Sequence, residues 1–178
     1  MSLKKSSWHA PTFQTLTTKA ALFMSQKDFA NSLLCQIEAL ELLKKEGNNA
    51  ESLLMTKSLD SLASQYSLMG NQNNALRFAL QSLEMKIRLY EHKDHKDVAS
   101  AYFNVADIYF KQADYENGVK YQLSELTMRK RLSKSVCDKE LALLVYNVGV
   151  TYSLMGKNGK CIINCHFTLR KNIHRNDM

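Results

Sequence analysis

Proline appears once and glycine six times in 178 residues, too few for an all-β chain with its dense succession of turns. No apolar run approaches the roughly 20 residues that a membrane-spanning helix requires. The opening residues are polar and basic, and the apolar stretch at 20–24 is too brief for the core of a secretory signal. The four cysteines are therefore expected as reduced thiols in a cytoplasmic protein. No nucleophile, base and orienting group stand together, and neither a glycine-rich phosphate loop nor a Cys-x-x-Cys is found. The expectation is a non-enzyme that needs no cofactor and no metal.

What remains is ordinary globular material, 45% hydrophobic and 23% charged, long enough for one domain with a continuous core. The formal net charge is +7. That excess favours an acidic partner, as a statement about association and not about fold.

The informative feature is a repeat. Phe23, Tyr66, Tyr109 and Tyr152 follow one another at intervals of 43 residues. Three residues before each stands a small residue, Ala20, Ala63, Ala106 or Gly149, and four after each stands Lys27, Gly70, Ala113 or Gly156, where a turn is expected. A fixed period of about 20 to 50 residues signifies stacked supersecondary units, each burying its apolar face on its neighbours.

Apolar residues at three- and four-residue spacing predict two helices per unit. In the first unit Leu16, Ala20 and Phe23 mark one helix; Leu33, Ile37 and Leu40 mark a second, which Asp28 can cap. In the second unit the first helix ends at Gly70-Asn71, and Asn73 or Asn74 begins its partner. Asp97 is expected to cap the third unit and Asp114 its second helix. The units are read as residues 13–51, 52–96, 97–137 and 138–174, after a flexible lead-in at 1–12, with a last helix near 159–174. Helices of this length joined by short turns must lie antiparallel to their neighbours. The fold class predicted is all-α, a right-handed superhelix of about four helix-turn-helix units, with the small residues letting the helices of each hairpin approach to about 8–10 Å.

A small residue, an aromatic three later and a turn four beyond that resembles the tetratricopeptide repeat. The 43-residue period resembles the long form found in kinesin light chains and their relatives. The third unit carries it in His95-Lys96-Asp97-Val98-Ala99, Phe103-Asn104-Val105-Ala106, Ile108-Tyr109 and Gln112-Ala113-Asp114-Tyr115-Glu116. The fourth carries it in Tyr146-Asn147-Val148-Gly149, Thr151-Tyr152 and Met155-Gly156-Lys157. The resemblance runs from about Phe13 to the end of the chain.

Three clusters invite a chemical reading. His92, Asp94, His95 and Asp97 alternate imidazole and carboxylate, but zinc sites usually add thiolates or a third convergent imidazole; a polar inter-unit loop is expected. Cys161 and Cys165 share the register of Ala75 and Ala79, so they are read as buried core thiols. Lys44-Lys45, Lys86 with Arg88, and Arg129-Lys130-Arg131 fall in the last turns of second helices, where cations complement the helix dipole. They are read as solvated helix ends, which argues against nucleic acid as a partner.

The resemblance implies that first helices line a concave groove, in which an Asn two residues before the small residue clamps a peptide backbone. Asn104 and Asn147 hold that position; Ser61 and Thr18 hold it in the earlier units. By the same register Lys57, Asp60, Phe103, Asp107, Phe110, Lys111, Tyr146 and Val150 flank the groove. The function expected is a protein-protein interaction adaptor binding a peptide or helix of a partner protein. The alternative is a regulatory sensor that changes shape on binding a short signalling peptide.

Overall fold

The computed structural model describes residues 12–46, 52–133 and 139–156. Those residues form seven helices and no strand: α1 (Phe13–Ser25), α2 (Phe29–Glu46), α3 (Leu53–Leu68), α4 (Gln72–Leu89), α5 (Lys96–Lys111), α6 (Tyr115–Leu132) and α7 (Lys139–Leu154). Each helix packs on the next in sequence, most extensively within the hairpins α1–α2, α3–α4 and α5–α6. Cys137, Cys161, Cys165 and the last expected helix lie outside the described residues.

The hairpin turn is one device used repeatedly. Lys27, Gly70, Ala113 and Gly156, the four expected turn positions, all take the left-handed conformation, with φ of 60°, 77°, 59° and 66°. In the three complete turns the next residue sends its N–H back to the carbonyl of the repeat aromatic. Asp28 bonds Phe23, Asn71 bonds Tyr66 and Asp114 bonds Tyr109, each at 2.9 Å. This is the Schellman closure of a helix C-terminus. The same three residues then cap the following helix: Asp28, Asn71 and Asp114 accept from the N–H groups of Asn31, Asn74 and Asn117. One residue thus ends a helix and begins the next, so the turn needs only three residues. Asn71 does the capping expected further along, at Asn73 or Asn74. The two hydrogen bonds from Asn117 hold the Asp114 carboxyl below the usual carboxylate range.

The repeat's small residues are buried, Ala20, Ala63 and Ala106 among them. Ala75, Ala79, Ala99 and Ala101 join Leu83, Val98, Val105 and Ile108 in the central core. Alanine-lined helices approach closely because no long side chain holds them apart. Larger rings fill the hairpin ends. Tyr66 stacks on Phe78 and Tyr109 on Tyr121, both with centroids 5.5 Å apart. The two pairs are related by the 43-residue shift.

The histidine-rich loop resolves into structural bonds. His95, not Asp97, caps α5: its Nδ1 accepts from the Asp97 N–H at 3.1 Å while its ring stacks on Tyr90. Asp97 stands inside the first turn and accepts from the Tyr90 hydroxyl at 2.6 Å. Asp94 pairs with Arg131 of α6 at 2.8 Å.

Candidate partner-binding groove

The first helices of successive hairpins, α3, α5 and α7, enclose two crevices related by the repeat. The first, a cavity of about 230 Å³, lies between Asp60, Ser64 and Ser67 of α3 and Asn104, Asp107 and Lys111 of α5. The second, about 240 Å³, lies between Phe103, Asp107 and Phe110 of α5 and Asn147, Val150 and Thr151 of α7. Adding 43 to Asp60, Ser64 and Ser67 gives Phe103, Asp107 and Phe110; adding it to Asn104 and Asp107 gives Asn147 and Val150. The geometry is repeated while the chemistry changes from polar to aromatic.

Of the residues expected at the groove, Asp60, Asn104, Asp107 and Lys111 meet at the first crevice. Phe103, Asp107, Phe110 and Asn147 meet at the second. Lys57, Ser61 and Tyr146 line neither; Tyr146 stands on α7 with 66% of its surface exposed. Ser64, Ser67, Thr151 and Gln122 were not anticipated. The 43-residue register that picks out Asp107 and Phe110 also picks out Ser64 and Ser67, so that signal was present in the sequence.

Equivalent clamp positions are not equally available. The Thr18 hydroxyl turns back to the Gln14 carbonyl at 2.8 Å. The side-chain amides of Asn104 and Asn147 make no hydrogen bond among the described residues, although each faces a crevice. A free amide offers a donor and an acceptor together.

The acids are engaged. Asp107 pairs with Lys111 at 2.8 Å, and Lys111 also donates to the Ser67 hydroxyl at 3.0 Å, tying α5 to α3. Asp60 accepts from Ser82 at 2.6 Å and from Lys86 at 2.5 Å. Lys86 retains only 5% exposure. The expectation that it would be a solvated helix end therefore fails: a carboxylate from the facing helix compensates its burial.

In the third unit the pairing is rearranged. Arg129 stands at the register of Lys86, but Phe103 replaces Asp60 and Glu125 replaces Ser82. Arg129 accordingly bonds Glu125 on its own helix, at 2.7 Å. Burial pushes the Glu125 carboxyl up against the opposing pull of Arg129. Its Oε2 is buried without a hydrogen-bond partner among the described residues. Moving the acid from first helix to second leaves the groove-side position to an aromatic that is 51% exposed.

The architecture is that of the tetratricopeptide-like repeat proteins of the long-repeat kind. The crystal structure of BtubC (BKLC) from P. vanneervenii is similar over 98% of this chain and 69% of that one, with a TM-score of 0.74 and 19% identity. A putative kinesin light chain of Podosopora anserina with nearly identical TPR-like repeats is similar over 93% and 76%, with a TM-score of 0.68 and 10% identity. MamA is similar over 85% and 74%, at 0.52 and 18%. No family model matches the sequence, and no curated protein matches it. No described helix is long and apolar enough to cross a membrane.

Proposed function

We propose that this chain is a non-enzymatic, cytoplasmic adaptor whose first helices present a groove to a peptide of a partner protein. The observation that carries the reading is the pair Asn104 and Asn147. Two amides stand at one register in equivalent crevices, each without a hydrogen-bond partner among the described residues. An extended backbone carries the donors and acceptors that such amides lack. Lys57, Ser61 and Tyr146 extend the contact beyond the crevices. The net charge of +7 draws an acidic partner toward the surface.

The test is the double variant Asn104→Ala/Asn147→Ala, measured against peptides selected by display on the intact chain. Each lost hydrogen bond costs roughly 0.5–1.5 kcal/mol, so affinity should fall about tenfold or more. Thermal stability should stay within about 0.5 kcal/mol, as for surface changes elsewhere. Unchanged affinity would place the working surface outside the groove.

A further inference from the structure

The two crevices, equivalent in geometry, differ in what they can accept. In the first, both acids are neutralised within the protein: Asp60 by Lys86 and Asp107 by Lys111. The groups left to meet a ligand are hydroxyls and an amide, those of Ser64, Ser67 and Asn104. A charged side chain entering there finds no unpaired countercharge and loses its hydration. An uncharged polar side chain finds donors and acceptors.

In the second crevice the walls are Phe103, Phe110, Ala106 and Val150, with the Lys111-paired Asp107 and the Asn147 amide beside them. At its floor the buried Thr151 hydroxyl donates to the Asn147 carbonyl at 3.0 Å, with the Gln122 side-chain oxygen 3.4 Å away. What this crevice gains from a ligand is burial of exposed aromatic and aliphatic surface.

The free amides decide the ligand's backbone. A helix satisfies its own N–H and C=O groups and has nothing to offer Asn104 and Asn147; an extended chain does. Neighbouring helices lie roughly 10 Å apart, and an extended chain of the polyproline II kind, whose backbone makes no internal hydrogen bonds, advances about 3.1 Å per residue and returns to the same face every third residue. Side chains entering the two crevices are therefore about three residues apart.

We infer that the groove selects an extended peptide with a large apolar residue in the α5–α7 crevice and an uncharged polar residue, Ser, Thr, Asn or Gln, about three positions away in the α3–α5 crevice. This rests on the groove reading proposed above. Acidic residues of the partner act outside the two crevices.

The experiment is selection of a random-octapeptide display library on the intact chain, followed by affinity measurement with synthetic copies of the recovered peptides. The expected peptides share the apolar and polar pair at that spacing, and Ala at the apolar position weakens them at least tenfold. Val150→Trp fills the second crevice from a position 40% exposed. It should weaken the parent peptide at least tenfold and abolish the difference between the parent and its Ala version. Phe103→Ser, which removes a wall without filling space, should reduce the same difference. Peptides weakened by Asn104→Ala/Asn147→Ala yet indifferent to Val150→Trp and Phe103→Ser, or carrying acids at the two positions, overturn this inference and leave the groove reading standing. Peptides indifferent to all of these variants, or no recovered peptide, overturn both.

Discussion

Lys86 and Asp60 join the two helices of the second hairpin through an ion pair of which the lysine is almost wholly buried. One repeat later the cation persists as Arg129 while its acid has moved to Glu125, on the same helix. Two ways of pairing a cation at one register are thus built into one chain, around a buried lysine and a half-buried arginine, and they differ in which helix supplies the nearest carboxylate.

That exchange can be transplanted. Asp60→Phe alone strands the Lys86 ammonium and should cost about 2–4 kcal/mol; the lower part of the range for broken buried pairs applies because Asp60 keeps 28% side-chain exposure. Asp60→Phe with Ser82→Glu recreates the third unit's arrangement in the second and should recover most of the loss. Denaturant titration of the wild type, the single and the double variants reads this directly. A double variant no more stable than the single one would show that the two units house their cations on different principles.

The shared turn position predicts stability changes of opposite sign. Ala113 bears a side chain in a left-handed conformation, at φ 59°, so Ala113→Gly should stabilise by about 1 kcal/mol. Gly70→Ala should destabilise by a similar amount. A Cβ on Gly70 meets nothing within 4 Å, so the loss would be conformational alone. Thermal melting should resolve both as shifts of about 2–4 °C.

The Tyr90–Asp97 hydrogen bond has a definite pH window. It pushes the Tyr90 phenol up from its ordinary value to about 12 and holds the Asp97 carboxyl below the usual range. The raised phenol contributes stability fully present below about 10 and lost as pH rises through about 12. The lowered carboxyl contributes stability present above about 4 and lost as pH falls. The stability difference between wild type and Tyr90→Phe should therefore be greatest between those limits, about 1–2 kcal/mol, and shrink on both sides. Phenolate absorbance should show Tyr90 among the late-titrating of the eight tyrosines, beside Tyr109, which burial also raises, and Tyr90→Phe should remove one phenol from that late step. A wild-type titration lacking a late phenol would remove the hydrogen bond from the account.

Periodicity revealed the repeat, its turns and its small buried residues because each is a local demand made again at a fixed interval. Lys27 and Ala113 were placed at turns although neither is glycine, since Gly70 and Gly156 share their register. Capping was read less well. His95 took the role given to Asp97 because an imidazole nitrogen can accept a first-turn N–H, here that of Asp97 itself, and Tyr90 claims the Asp97 carboxylate. The burial of Lys86 was missed for a different reason. Its sequence position at a helix end describes only its own helix, while its environment is set by Asp60 on another. At the groove the register brought Asn104, Asp107, Phe110 and Asn147 to the right helices. It did not show that Asp60 is already occupied, because pairing is a property of two elements together.

Gly118 faces Phe110 so closely that any Cβ there would overlap the ring, and the same ring meets Tyr115 with centroids 6.4 Å apart. One wall of the second crevice is therefore fixed by the protein's own backbone before any partner arrives. Freezing a mobile side chain during association costs roughly 0.5–1.5 kcal/mol; for Phe110 that ordering belongs to folding. The missing side chain at Gly118, on the second helix of the hairpin, thus acts as a set screw that holds the aromatic wall in one position.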